Sequence, residues 1–189
     1  MTTKAQLLTI ADWDAMPYGD GNRYEIIEGE LFVSTSPGLT HQRVLTNLIT
    51  LFAAFLGENP IGEVLPTPGL ILSQYSGVTP DLVVFLNETG DTIITGERLT
   101  GPPDLVVEIV SPGPANMRRD RVAKLQLYSK HGVPEYWIVD PGNLTVEQYV
   151  SDGPSLKLTQ TLRRAERLSS AAIPGFSCLL SQIFRHIGK

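Results

Sequence analysis

Apolar residues fall along this chain in two distinct rhythms. Asp81–Leu86 and Leu105–Val110 are nearly continuous apolar runs, the pattern of strands covered on both faces. Leu45, Leu48, Ile49, Phe52, Phe55 and Leu56 instead recur at helical spacing. That rhythm predicts a helix opening at Thr40, a suitable N-cap, and ending at Gly57 and Pro60. Upstream, YEIIEGELFVS alternates around Glu28-Gly29 and predicts a hairpin from Tyr24 to Ser34. Gly62–Ser73 is expected to form a strand, with Pro66 and Pro68 putting part of it at an edge or bulge.

The second half continues in the same way. Arg118–His131 predicts a helix closed by Gly132, and GVPEYWIVDPGNLTVEQYV gives a strand, a Pro-Gly-Asn turn and a returning strand. Leu156–Leu168 is expected to add a hairpin. A short terminal helix should carry Leu179, Leu180, Ile183 and Phe184 on its inner face. Hairpin, helix, strands, helix and strands in this order fit an α/β (α+β mixed) fold, a mixed central sheet flanked by helices with additional hairpins. At 189 residues without a repeat or low-complexity linker, one domain spanning 1–189 is expected.

Composition narrows the function classes. The chain is 42% hydrophobic and 19% charged, ordinary for a globular protein. No apolar run is long enough to cross a bilayer, and the start MTTKAQLLTIADWDAMPYG lacks a secretory signal's features, so a cytoplasmic location is expected. A lone cysteine, Cys178, excludes an internal disulfide, and His41, His131 and His186 lack zinc-ligand spacing. The net charge of -5 conceals an asymmetry: residues 1–115 carry 4 basic and 14 acidic side chains, residues 116–189 carry 11 and 6. Carboxylates for a cation in one part and bases for phosphates in the other would suit a metal-dependent phosphodiesterase; two solvated faces would give the same count.

Two acids stand where strand patterning makes charge costly. Glu108 interrupts LVVEIV, where an ionised carboxylate costs several kcal/mol unless paired or bound to a metal. Asp81 opens the other run after Pro80, whose ring forces an extended entry. Neighbouring strands lie about 4.8 Å apart, so the two carboxylates can share one hard cation such as Mg²⁺. A buried ion pair with an arginine from elsewhere is the alternative for Glu108. Asp104 shares a strand face with Glu108 but stands about 13 Å away along it, too far for one cation to bridge, and reads as a turn or capping acid. Lys124 lies on the following helix, one turn after Asp120 and one before Tyr128; a site role and an exposed pair with Asp120 are both open. Arg118, Arg119 and Arg121 at that helix start either hold phosphates or form a solvated basic end. Tyr136 and Trp137 are read as packing residues.

Phosphate-loop, serine-hydrolase and reactive-cysteine arrangements are missing from the sequence. The stretches VTPDLVVFLN, PPDLVVEIVSP and RRDRVAKLQLYSKHGVPEYWIVDP resemble the signature of the Uma-type ("Uma two") family of putative restriction endonucleases, and YEIIEGELF and SPGLTHQRV resemble its N-terminal part. That resemblance implies the PD-(D/E)XK nuclease superfamily, with a restriction-endonuclease-like core of a mixed sheet between helices. It implies Asp81 as first acid and Glu108 as second, holding Mg²⁺ or Mn²⁺. The superfamily's lysine, two residues after the second acid, is here Val110; in this family its role moves to the next helix, which means Lys124. SPGPANMRRD departs from the family, which more often has Ser or Thr after Ser-Pro. Glu25 and His41 match recurrent family positions, yet by themselves read as an exposed strand acid and a helix-start residue, and are left outside the site.

The function so implied is a metal-dependent endonuclease hydrolysing phosphodiester bonds in DNA, acting as a homodimer. Asp81, Glu108 and the Ile109 carbonyl would hold the metal, Lys124 would orient water and neutralise charge, and no histidine base would be required. Two alternatives remain: a non-catalytic dimeric nucleic-acid-binding or interaction module, and a phosphodiesterase acting on RNA or small nucleotides.

Overall fold

The computed structural model describes residues 6–17, 19–111 and 119–187, and within them leaves the Asp120 side chain undescribed. Arg118 and most of the SPGPANMRRD loop therefore lie outside the described residues. The elements in chain order are α1 (Ile10–Asp14), β1 (Asn22–Ile27), β2 (Glu30–Thr35), α2 (Leu39–Glu58), β3 (Gly62–Pro66), β4 (Leu70–Ser73), β5 (Ser76–Val78), β6 (Leu82–Leu86), α3 (Asn87–Ile93), β7 (Ile94–Thr95), β8 (Arg98–Thr100) and β9 (Leu105–Ile109). A π-helical turn, Arg119–Lys124, then runs into α4 (Leu125–Lys130), followed by β10 (Glu135–Asp140), β11 (Thr145–Asp152), β12 (Ser155–Arg163), β13 (Arg167–Ser169), β14 (Ser177–Leu179) and α5 (Leu180–Ile183).

One six-stranded sheet has the order β12-β11-β10-β9-β6-β3, with β9 and β10 parallel and the other pairs antiparallel. A second six-stranded sheet has the order β2-β1-β5-β4-β8-β7. The two apolar runs, β6 and β9, are interior neighbours in the first sheet, which is why both are apolar on each face. On one face Leu82, Val107 and Trp137 pack under α2 through Leu48 and Phe52, together with Phe176 and the C-terminal residues Leu180, Ile183 and Phe184. Val83, Val106 and Ile138 face the other way, meeting Ile27, Leu70 and Val78 of the second sheet and Leu127 and Tyr128 of α4. The first sheet is thus the middle layer, as the mixed sheet flanked by helices requires.

Glu28 and Gly29 both have positive φ, 51° and 82°, which suits the two-residue turn of the predicted hairpin. Several expectations are corrected. The α2 N-cap is Gly38, two residues before Thr40. Gly62–Ser73 is two strands in different sheets, because the chain turns at Thr67, whose φ is 50°. Leu156–Leu168 is not a hairpin: β12 returns against β11, and β13 finds its partner in β14. Leu179 ends β14 and is exposed, while Leu180, Ile183 and Phe184 are buried as expected. Tyr136 and Trp137 are fully buried packing residues. Among the described residues no helix is long and apolar enough to cross a membrane.

Candidate active site

The pairing of β6 with β9 aligns Leu82 with Val107 and Val83 with Val106, and the same register carried one step further sets Asp81 opposite Glu108. Directly opposed residues share a sheet face. Here that face is the one of Val83 and Val106, turned toward the second sheet, and both carboxylates are buried. Arg23, Glu25 and Ile27 alternate along β1 on one face, and Ile27 belongs to the apolar layer between the two sheets. Charged groups from two sheets thus meet at the rim of one apolar layer.

Lys124 reaches this rim from the π-helical turn. It is fully buried, with Nζ 2.8 Å from Glu108 Oε1 and 2.9 Å from Glu25 Oε1. One turn later the Tyr128 hydroxyl donates to the same Glu108 oxygen at 2.8 Å. Burial, and then the charge of Glu108, hold the Tyr128 phenol well above its ordinary pKa, so it stays a donor. Glu25 also accepts the Thr79 N–H at 2.9 Å, and its other oxygen lies 3.8 Å from Arg119 Nε. A π-helix bonds residue i to i+5 and brings residues five apart nearly above one another. Arg119 and Lys124 are five apart, and both address Glu25. In an α-helix the same spacing would set them about 140° apart.

Asp81 is held by a separate set of donors. Arg23 Nη1 meets Oδ1 at 3.1 Å; His41 Nε2 and the Ile109 N–H meet Oδ2, each at 2.9 Å. Burial alone would raise this carboxyl, but the hydrogen bond from His41 and the charges of His41, Arg23 and Lys124 outweigh it and hold the pKa at about 2. Arg23, His41, Asp81, Ile109, Ser111 and Arg119, together with Ser34–Gly38, line a cavity of about 210 Å³. Arg121 points elsewhere, toward Asp140 and Glu147.

Residues 10–181 match the profile of the Uma2 family, described as "Putative restriction endonuclease". The chain belongs to the Uma2 family. As a Uma2 protein it is also similar in fold to the crystal structure of a putative nuclease belonging to DUF820 from Anabaena variabilis. The TM-score is 0.72 at 16% identity, over 94% of this chain and 97% of that one. Among curated proteins none matches the chain.

Of the residues singled out in this Uma2 sequence, Asp81 and Glu108 lie opposite each other and Lys124 contacts Glu108. Asp104 lies apart, its carboxylate accepting the N–H of Leu86 in the neighbouring strand β6 at 2.8 Å. Glu25 corrects the sequence reading, being buried and not exposed; His41 stands at the start of α2 as read, and both contact the residues expected to form the site. Their signal was weak. Glu25 precedes Ile26-Ile27 in a strand whose alternation does not say which face is covered, and His41 lies three positions into a helix whose apolar stripe begins at Val44. Arg23 and Tyr128 carried no signal of their own.

Hard oxygen donors suit a hard divalent cation, and of the three carboxylates Asp81 lines the cavity. Glu25 Oε2 is buried without a hydrogen-bond partner among the described residues, which leaves carboxylate capacity beside the pair. Among the described residues no three His, Cys, Asp or Glu side chains cluster as a ready-made metal cage. That too is compatible with Mg²⁺, which is usually bound through one or two carboxylates and keeps water and phosphate oxygens as its other ligands.

Proposed function

We propose that this Uma2 protein is a Mg²⁺- or Mn²⁺-dependent endonuclease that hydrolyses phosphodiester bonds in DNA, with Asp81, Glu108 and Lys124 at its centre. The observation that carries this reading is the opposition of Asp81 and Glu108 across two interior strands, with a buried lysine against one of them. Asp81, Glu108 and the Ile109 carbonyl would hold the metal. When bound, the ion would supply positive charge to a phosphate oxygen and lower the pKa of a water.

The protein's own groups have separate tasks. Arg23 and His41 hold the Asp81 carboxylate ionised and oriented. Tyr128 fixes the Glu108 carboxylate through a neutral hydrogen bond. Lys124 carries a cation next to Glu108, where charge develops on phosphate oxygens during attack; in a water-poor site such a fixed charge stabilises the transition state strongly. Arg23 and Arg119 line the cavity as cations suited to phosphate, and the basic second half of the chain favours a polyanionic substrate.

The second reading, a non-catalytic nucleic-acid-binding module, is favoured by one observation: Asp81 already has an internal partner on each oxygen. Incubation of supercoiled and linear DNA with purified protein separates the two. Cleavage that needs Mg²⁺ or Mn²⁺, stops with EDTA and falls at least about 100-fold in a folded Glu108→Gln variant supports the nuclease. EDTA-resistant cleavage, or a Glu108→Gln protein that cuts as well as the parent, refutes it. DNA retention without cleavage under any divalent cation supports the binding module.

A further inference from the structure

The surface next to the cavity carries positive charge that no carboxylate balances. Leu39, Gln42, Arg43, Thr46 and Asn47 recur at helical spacing and put one stripe of α2 beside Arg185 and His186; together these residues line an open depression of about 280 Å³. The depression adjoins the candidate active site: Gly38 and His41 line the cavity there, and Leu39, Gln42 and Arg43 line this one. Arg43, Arg185 and His186 are exposed, and exposed Gln42 and Thr46 add polar groups. The sole acid of α2 is Glu58, about 22 Å along the helix from Arg43, and from Arg167 onward the sequence contains no acid.

Elsewhere on the surface the cations are neutralised locally. Arg98 pairs with Asp14, Arg121 with Asp140 and Glu147, Lys130 with Glu28 and Lys157 with Asp152. Arg43, Arg163, Arg164, Arg167 and Arg185 meet no carboxylate among the described residues. They stand around α5. At its start the Leu180 N–H donates to the Glu166 carbonyl at 3.0 Å, in the turn after β12 where Arg163 and Arg164 are exposed. At its end Asn47 of α2 donates to the Ile183 and Arg185 carbonyls, at 2.9 and 3.1 Å. α5 is four residues long, about 6 Å, so the two groups of arginines flank one short helix. Glu166, the acid among them, is turned to the Arg163 N–H at 2.8 Å. Five arginines against one carboxylate run counter to the net charge of -5 of the whole chain.

We infer that this face, with Arg43 and Arg185 at one end of α5 and Arg163 and Arg164 at the other, docks the sugar-phosphate backbone of a DNA duplex beside the active-site cavity. The identity of the partner rests on the nuclease reading; its anionic character rests on the arginines that no carboxylate balances. A duplex carries one negative charge per about 1.7 Å of its axis, so one turn of it can meet both groups. The planar guanidinium is well shaped for phosphate oxygens. A single strand is instead gripped by stacking its bases on aromatic rings, and among the described residues no Phe, Tyr or Trp lines the depression.

Binding of a fluorescein-labelled duplex to the full-length protein in EDTA, followed by fluorescence anisotropy across a KCl series, tests the face. Each phosphate contact contributes about 0.9 to the slope of log K against log[salt]. The double variants Arg43→Ala/Arg185→Ala and Arg163→Ala/Arg164→Ala should each bind at least about tenfold more weakly at low salt, with a slope shallower by about 2. Lys130→Ala/Lys157→Ala removes the same amount of charge from elsewhere and should bind within about twofold of the parent. All the replaced side chains are exposed or partly exposed, and circular-dichroism melting confirms that each variant is folded. A parent that does not bind the duplex, arginine variants that bind as the parent does, a lysine variant that loses as much, or a single strand of the same sequence held as tightly as the duplex would each overturn the inference. Because no metal is present, the expected pattern in a protein that never cleaves DNA upholds the docking face while the nuclease reading fails; metal-dependent cleavage with unimpaired arginine variants does the reverse.

Discussion

Replacing Lys124 with Met should unfold the protein far more readily than a change at a surface lysine would. The ammonium is fully buried, 2.8 Å from Glu108 Oε1 and 2.9 Å from Glu25 Oε1. Methionine fills a similar volume, so the cost is electrostatic: two carboxylates remain buried together without the cation between them. Removing one partner of a buried ion pair costs about 3 to 5 kcal/mol, against about 0 to 1 kcal/mol for an exposed pair. For a protein of this size that predicts a fall in Tm of roughly 6 to 20 °C. Urea unfolding of the metal-free protein at pH 7, followed by circular dichroism with the m-value checked for constancy, measures it. Adding Glu25→Gln should recover part of the loss, because one stranded charge is then gone. Acidification should narrow the deficit as the stranded carboxylates are neutralised. A loss below about 1 kcal/mol with an unchanged m-value would refute the reasoning and return Lys124 to the surface. Cleavage by Lys124→Met must be compared with the parent well below the lowered Tm, where both are folded.

Two further outcomes follow from the same geometry. The Asp81 carboxyl sits at about 2 when folded against 3.8 ordinarily, so its ionised form contributes on the order of 2 kcal/mol that is present above about pH 4 and lost as pH falls toward 2. Metal-free unfolding across this range should therefore be steeper in the parent than in Asp81→Asn, and equal slopes would count against the assignment. Asp104→Ala should cost about 1 kcal/mol by removing the acceptor of the Leu86 N–H, and should leave the metal response of any cleavage unchanged.

The acidic pair was legible because a charge inside an apolar run has no local explanation, and strand periodicity alone says such a position is covered. Lys124 was only half legible. Its helix could be read from periodicity, but which face turned inward depended on the π-helical turn, and nothing in RRDRVAK marks one. Glu25 and His41 escaped because their burial is created by a partner layer: β1 alternates equally well with either face covered, and only the second sheet decides it. The same limit explains the errors in the fold. Gly62–Ser73 reads as one strand because periodicity does not register a change of sheet at Thr67. Pairing β12 with β11 rather than with its own continuation is likewise a long-range choice, made by neighbours and not by turn residues.

The wide turn from Arg119 to Lys124 also bears on how this chain tolerates length changes. Lys124 meets one oxygen of Glu25 at 2.9 Å and Arg119 approaches the other at 3.8 Å, and the turn between them takes the winding that keeps both in reach. Removal of one residue, Val122 or Ala123, would bring them four apart, which is again one face of an ordinary α-helix. The turn can thus be understood as a one-residue insertion that the Glu25 clasp has absorbed. Relatives with a shorter segment here could present the same pair of cations with the numbering displaced by one, and an alignment forced to run without a gap would set the wrong residue opposite Arg119.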